Sequence, residues 1–539
     1  MALNIFLQLP QLQPQLHLGF PEWTWNRKVI HLLAAAGVIL LSYFISLFVR
    51  ELCDPARKVP GPFTARFSKL WYSYRLYKGD FHNFNVALHR KHGKITRIAP
   101  SWYSVDDPDA AKILYGHGTQ FVKGEWYSVW GPPDIAHINL FSLQDPKMHA
   151  ITRRKYANFY SMSTMVEYED DINEVIDLFC RKVGELALQK KVIDLTHWLQ
   201  CYAFDVIAKI TFGSRMGFLD EGADINGIMG GLESLGLVGC LLGLYPWVYR
   251  FIFSLKLPEA QDPISSFTTA SLEQRQKANE EGKPFKAKTF CAKFAEAHEK
   301  DPENFTKLHL TGGATANIGA GSDTTSIALS SIMYNLIHHP SVLKRLRDEF
   351  RNAEMSGRAS RPITFAQSQQ LEYFQAVVKE AMRLHPSTAL PFWRIVPEGG
   401  ITISGQYFPP GSTVGINSWV AHRNPDVFGR DVDVFRPERW LEASEEQAAT
   451  MNRYWMPFGL GSRTCIGKNI SLLEIAKVIP ELIRRFDFEQ IDENQMVSVN
   501  RWFIKPKGFK VLVKLQSQGD VASSSVTPEK LQRGLVSEA

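Results

Sequence analysis

Ten residues near the C-terminus hold the types and spacing best suited to chemistry: Phe458-Gly459-Leu460-Gly461-Ser462-Arg463-Thr464-Cys465-Ile466-Gly467. Two glycines open a loop and a lone cysteine closes it. Apolar residues Leu472, Ile475, Ile479, Leu482 and Phe486 then recur at amphipathic-helix spacing. Cys465 therefore stands just ahead of a helix N-terminus, where free N–H groups and the helix dipole favour an anion. That setting predicts a lowered thiol pKa, with the thiolate as the resting form. Gly459, Gly461 and Gly467 carry no Cβ, so backbone N–H groups can approach the sulfur closely. Arg463 sets a fixed cation beside it and suits a carboxylate. A solitary thiolate with a carboxylate-seeking arginine fits the axial ligand of haem, whose propionates need partners. The plain alternative is a small buried hydrophobe, the common fate of an isolated cysteine. Zinc would want more Cys or His at short spacing. A nicotinamide fingerprint fails for want of a third glycine and a βαβ pattern.

The stretch resembles the haem-binding signature of the cytochrome P-450 family, F-x-x-G-x-R-x-C-x-G, at every fixed position. The resemblance implies a mainly α fold with a smaller β region. It also implies haem b (iron protoporphyrin IX) with Cys465 as axial thiolate and Phe458, Gly459, Arg463 and Gly467 around it. Other segments match in the family's order. Residues 304–338 form a long helix-compatible segment ended by Pro340, with Ala320-Gly321-Ser322-Asp323-Thr324-Thr325 inside it. Gly321 leaves room for a ligand against the backbone, and Asp323 and Thr324 supply an acid and a hydroxyl where a helix can open. The bland reading is that Thr324 bonds a carbonyl one turn earlier. The hexapeptide resembles the family's oxygen-activating signature, A/G-G-x-D/E-T, which implies proton delivery by Asp323 and Thr324.

Glu380 and Arg383 stand at i and i+3, a pair worth little if solvated. They match the family's E-x-x-R, and Phe435-Arg436-Pro437-Glu438-Arg439-Trp440 matches the segment with the second arginine. The implied arrangement is a buried triad of Glu380, Arg383 and Arg439 bracing the haem loop. His149 and Arg153 share a helix face and fall where the family carries W-x-x-x-R, whose side chains hold a propionate. Here His149 replaces the Trp. The resemblance also turns Arg394 toward a propionate and Ser387 to Phe392 into the pocket. The aromatic stretch Trp126 to Pro133 reads either as a packed loop or as a wall of that pocket.

Around these motifs the chain must supply a scaffold. Its 539 residues would allow several domains, but the motifs are spread through one catalytic domain expected at 63–515. Hydrophobic residues at 45% and charged ones at 22% leave ample material for a core. Lys+Arg 61 against Asp+Glu 55 gives +6 without a basic run, so a nucleic-acid partner is excluded. Six scattered cysteines fit free thiols in a reducing compartment. Val29 to Val49 is an almost unbroken apolar run, about 30 Å long as a helix. With no Lys or Arg in the first twenty residues and no cleavage site after it, the run reads as a retained anchor. Residues 1–28 then form a short lumenal N-terminus, 50–62 a proline-rich linker, and 516–539 a disordered tail. Basic residues cluster after the run, which keeps the catalytic domain cytosolic. The resemblance implies the endoplasmic reticulum membrane. On that side the sequon Asn304-Phe305-Thr306 stays unglycosylated. Ile95 to Val105 reads as a hairpin and Asp106 to Tyr115 as a helix. Ser234 to Tyr249, apolar and charge-free, reads as a core segment or, preferably, as a loop region dipping into the bilayer.

The implied function is a haem-thiolate monooxygenase that takes electrons from an NADPH-cytochrome reductase and inserts one atom of O₂ into an apolar small molecule. Lys468 and Arg153-Arg154-Lys155 are expected contacts for the reductase. Pro60-Gly61-Pro62-Phe63, Arg97-Ile98-Ala99-Pro100-Ser101 and the segment after Arg484-Arg485 resemble the pisatin-demethylase-like fungal branch, many of whose members tailor secondary metabolites. Two rival functions use the same centre: isomerisation or dehydration without O₂, and non-catalytic haem sensing.

Overall fold

The computed structural model describes residues 27–131, 139–256, 263–282, 288–491 and 496–516. The expected lumenal N-terminus (all but its last two residues), Pro132 and Pro133, and the tail from 517 onward lie outside the described residues. The chain divides after Asp54 into two compact units. In the first, helix α1 (Arg27–Cys53) covers the apolar run. Its stretch Val29–Cys53 has a mean hydropathy of 2.5 and none of its most apolar window is buried. It is long and apolar enough to cross a membrane.

The second unit is mainly helical with small sheets. Its principal helices are α2 (Leu70–Lys78), α3 (Phe81–His92), α4 (Pro146–Ala157), α5 (Glu169–Leu188), α6 (Leu195–Phe212), α7 (Ile228–Leu244), α8 (Pro246–Ser254), α9 (Lys307–His338), α10 (Glu372–Leu384) and α11 (Lys468–Arg485). The strands that concern the site are β1 (Ile95–Ala99), β2 (Trp102–Val105), β3 (Val122–Lys123), β4 (Arg394–Ile395), β5 (Thr413–Ile416), β6 (Val497–Arg501) and β7 (Phe503–Lys507). β1 and β2 form the expected hairpin. The sheet order is β1-β2-β5-β4-β3, with β2 and β5 parallel and the other pairs antiparallel. β6 and β7 form a separate antiparallel ribbon in which Arg501 pairs with Phe503 and Val499 with Lys505. Pro108–Tyr115 is helical as read, capped by the Asp107 carboxylate on Asp109 N–H.

α9 is the axis of the fold. It starts at a capping box in which Thr306 and His309 satisfy each other's backbone ends. Its glycines would weaken an isolated helix by about 1 kcal/mol each, and its burial among neighbouring helices offsets this. At Gly313 a side-chain carbon would come within 2.8 Å of Phe294 and 3.0 Å of Tyr156. Gly321 likewise presses on Ile207 of α6 at 3.1 Å. The space expected at Gly321 for a ligand is thus filled by α6. Gly319, with no atom within 4 Å of its missing carbon, is the open position.

Ser234 to Tyr249 departs from the preferred reading as a loop, since it folds into the end of α7 and the start of α8. The glycines of this stretch have a packing role. Side-chain carbons at Gly239 and Gly243 would lie 2.9 Å from the indole of Trp130 and 2.4 Å from that of Trp126. Their absence seats both rings on the α7 backbone.

Among the buried histidines of this unit are His82, His89, His385 and His422. Burial is the main cause that pushes His82, His385 and His422 down to about 3 and His89 to about 4. They are neutral in the fold, whereas the unfolded chain takes up protons below about 6.5. Stability is therefore full above that pH and is lost progressively toward 3–4. Denaturant midpoints measured across this range should fall with decreasing pH, and His422→Gln should reduce the slope by about one proton, or about 1.4 kcal/mol per pH unit.

Candidate active site

The glycine–cysteine loop is closed by Cys465 N–H donating to Phe458 O at 2.8 Å. Gly459 and Gly461 have φ of 71° and 63°. At Gly461 a side-chain carbon would lie 1.7 Å from Tyr115 O, so no other residue fits. At Gly467 it would be 3.9 Å from Sγ, an ordinary contact. α11 begins directly after, and the N–H groups of Gly467 and Lys468 point at Sγ. Sγ lies deep in the fold yet keeps accessible surface, so it opens onto interior space. The expected low thiol pKa is not what results. Burial pushes the Cys465 thiol up and outweighs those two N–H groups, Arg153 and Lys468. The protein alone favours a thiol, and a bound metal ion would supply the charge that makes it a thiolate.

The loop is braced as expected. Arg383 Nε and Nη2 donate to Glu380 Oε2 and Oε1 at 2.9 and 2.8 Å, and Arg439 Nε reaches Oε1 at 3.3 Å. Trp440 Nε1 and Arg436 N–H complete the carboxylate at 2.9 and 3.1 Å. Sequence reading missed the connection from this knot to the loop, which is His422. Its Nδ1 donates to Arg383 O at 3.0 Å, and its Nε2 accepts Met456 N–H at 2.8 Å. The second bond requires Nε2 to be unprotonated, which fixes the tautomer.

Beside the loop, positive charge converges. His149 and Arg153 of α4, Arg394 of β4 and Arg463 lie together, joined by Lys123 of β3, which nothing in the sequence singled out. Lys123 stands directly opposite Arg394 in the β3–β4 register, a like-charge pairing that destabilises a sheet unless an anion joins it. Burial and then the neighbouring arginines hold Lys123 well below the usual lysine range. Burial and then Arg463 push His149 down to about 3, and burial and then Arg394 push Arg463 down to about 10. Among the described residues none of the four cations forms an ion pair, and Asp145 is the acid whose charge opposes Arg463. The arginine forks are only partly used. Arg463 donates to Leu143 O and Gln144 O at 2.6 and 2.8 Å, Arg394 to Trp393 O at 2.9 Å, and Lys123 to Phe141 O at 2.5 Å. The cluster fits a group with two carboxylates, which is the donor set the two propionates of haem require. Arg153 turns inward here, so of the three expected reductase contacts on α4 only Arg154 is exposed, with Lys155 tied to Asn304 O at 2.5 Å.

On α9, Ala316 and Ala320 are exposed and Thr324 half-buried on one stripe, while Ser322, Asp323 and Thr325 behind them are buried. The helix does not open at Thr324. Its Oγ1 donates to Ala320 O at 2.7 Å, the one-turn back-bond, and its carbonyl accepts Ser387 Oγ at 2.8 Å. Asp323 points away from the stripe, toward Gln200 and Lys505. α9 and α11 are joined by Thr325 Oγ1 and Ser471 Oγ at 2.8 Å. Of the expected pocket stretch, Phe392 meets Trp502 at 6.3 Å, and Trp502 also touches Trp126, Tyr127, Trp130 and Phe141, giving a packed aromatic cluster.

Residues 58–513 match the family model described as Cytochrome P450. The chain is 37% identical over 494 residues to "Pisatin demethylase" of Fusarium vanettenii, an alignment covering 90% of this chain and 93% of that protein. It is 34% identical over 478 residues to a "Cytochrome P450 monooxygenase" of Aspergillus terreus, covering 86% and 97%. It is 32% identical over 508 residues to "Cytochrome P450 monooxygenase pkfB" of Emericella nidulans, covering 92% and 98%.

Removing one partner of the buried knot leaves the others charged and unpaired. Arg439→Leu should cost about 3–5 kcal/mol, read as a lower denaturant midpoint for the second unit, with the loss extending to cofactor retention.

Proposed function

The chain belongs to the cytochrome P450 family and is a haem-thiolate monooxygenase, and we propose that it hydroxylates or epoxidises an apolar small molecule in fungal secondary-metabolite biosynthesis, using O₂ and NADPH-derived electrons. The observation that carries this reading is the unneutralised cluster of Lys123, Arg153, Arg394 and Arg463 with His149, set beside an accessible Cys465 Sγ. When bound, the haem supplies oxygen activation, with a thiolate ligand that favours O–O cleavage. The protein's residues do the rest. Cys465 would hold the metal as a thiolate, and the N–H groups of Gly467 and Lys468 would face that anion. Lys123, Arg394, Arg463 and Arg153 would hold the propionates of the cofactor.

Thr324 keeps a proton at Oγ1 in its bond to Ala320 O, on the open stripe of α9. Turning that hydroxyl outward presents the proton to the pocket, and Asp323 resupplies it from the buried side. The packed aromatic cluster around Trp502 supports a dry, apolar surround for the substrate. Exposed Trp247, Phe251 and Leu255 on and after α8 support entry of such a substrate from lipid. α1 supports a single-pass anchor, which we assign to the endoplasmic reticulum with the second unit in the cytosol. The electron donor is a membrane-bound NADPH-cytochrome reductase docking near the Cys465 side, where Lys468 and Arg154 offer positive charge. Phe305 is buried and Thr306 caps α9, which supports an unmodified sequon.

Expressed with the reductase and supplied with candidate skeletons, the enzyme should give oxygenated product only with NADPH. Turnover without NADPH or reductase would favour isomerisation or dehydration instead. Thr324→Ala should keep its haem and lower product per NADPH by about tenfold or more, with the difference appearing as peroxide. Lys123→Met should lower haem retention on dialysis while leaving the apoprotein folded, because it relieves repulsion among the clustered cations.

A further inference from the structure

A chain of charges leads from the buried face of α9 to the surface and has no part in holding the cofactor. Asp323 is 1% exposed. From α6, Gln200 Nε2 donates to its Oδ1 at 2.5 Å, and from β7, Lys505 Nζ lies 2.8 Å from its Oδ2. The ammonium sits off the hydrogen-bond axis, so Oδ2 keeps a lone pair without an aligned donor. By register and alternation Arg501, Lys505 and Lys507 share one face of the β6–β7 ribbon. Across from them stands Glu233 of α7, which accepts from Arg501 Nη1 at 3.2 Å and Lys507 Nζ at 2.5 Å. Burial works against the Glu233 carboxylate, but Lys507, Lys505 and Arg501 together hold it below the usual range. Gly236, one turn on, lets α7 approach Arg501 O so closely that a side-chain carbon there would be 2.9 Å away. Between α7 and the ribbon lies a cavity of about 10 Å³, the size of a single water, lined by Glu233, Gly236, Arg501 and Lys505 among others.

We propose that Lys505 and Glu233 are the positioning residues through which protons from solvent reach Asp323. The inference rests on the oxygen-activating role given to Asp323 and Thr324. A carboxylate locked in an ion pair has no proton to pass on. Here Lys505 Nζ gives a proton to the open lone pair of Asp323 Oδ2, so an N–H bond breaks as an O–H bond forms. The neutral amine takes a proton back from water in the cavity, and the hydroxide so formed is neutralised by proton transfer from bulk water past Glu233, which leaves the compensating hydroxide in solvent. Charge is conserved at each step, and solvent is the only donor. Because Glu233 is carried by α7, the route is complete only while α7 is seated on the ribbon.

The test uses the full-length, haem-loaded protein with Lys505→Met, Lys505→Arg and Glu233→Gln. One readout needs no turnover: the pH at which the Asp323 carboxyl titrates, from infrared spectra referenced to Asp323→Asn. Lys505→Met should move that titration upward, Lys505→Arg should restore it, and Glu233→Gln should leave it in place. In turnover, Lys505→Met should lower product per NADPH by about tenfold at unchanged substrate affinity, and Lys505→Arg should leave product low although it restores the charge, because a guanidinium does not give up its proton. Glu233→Gln should enlarge the solvent deuterium isotope effect. Unaltered Asp323 titration in Lys505→Met, or an unaltered isotope effect in Glu233→Gln, overturns the proposal. If the unmutated enzyme makes no NADPH-dependent product, the monooxygenase reading fails instead, and the infrared comparison still decides whether Lys505 governs Asp323.

Discussion

The Glu380 carboxylate, fully buried, accepts five N–H donors: Arg383 Nε and Nη2, Arg439 Nε, Trp440 Nε1 and the Arg436 backbone. An ion in this setting is tolerated only because every partner is in place, and its own desolvation makes it intolerant of loss. From the knot, Arg383 Nη1 extends to His422 O and Val432 O at 2.8 and 2.6 Å. His422 carries the connection to Met456, two residues before the cysteine loop. The sulfur is thus positioned from a distance, by a polar network in the core rather than by packing at the loop itself. At the loop's other flank Gly461 closes against Tyr115 O with no room for a side chain.

Two electrostatic imbalances meet at this loop. A thiol is raised by burial, and a set of cations is lowered by burial and mutual repulsion. Each is unfavourable alone, and both are relieved by one group that brings a metal ion to the sulfur and two carboxylates to the cations. The repulsion among these groups in the protein alone would become affinity for the cofactor, since binding would relieve it as well as form contacts. The same principle, a charge kept buried by specific partners, reappears on the other side of α9 in Asp323, Gln200 and Lys505.

Legibility followed distance along the chain. The cysteine loop, the α9 hexapeptide and the Glu380–Arg383 pair are local patterns, and all were readable before any coordinates. Lys123, His422 and Lys505 act across the fold: one faces Arg394 only through strand register, one bridges two loops, and one reaches Asp323 from a C-terminal ribbon. Nothing local marks them. Gly321, read as space for a ligand, is filled by Ile207, and the glycines of α7 seat the indoles of Trp126 and Trp130. A missing side chain announces close approach, but the sequence does not say by what. The thiol's pKa was misjudged because the helix N-terminus is visible in sequence and the depth of burial is not.

The account depends on iron bound to Cys465. The most direct test is the absorption spectrum of the purified, reduced protein under carbon monoxide. The account predicts that the main absorption band moves to the long wavelength peculiar to thiolate-ligated haem. A band at the shorter wavelength of imidazole-ligated haem, or no haem band at all, would contradict it.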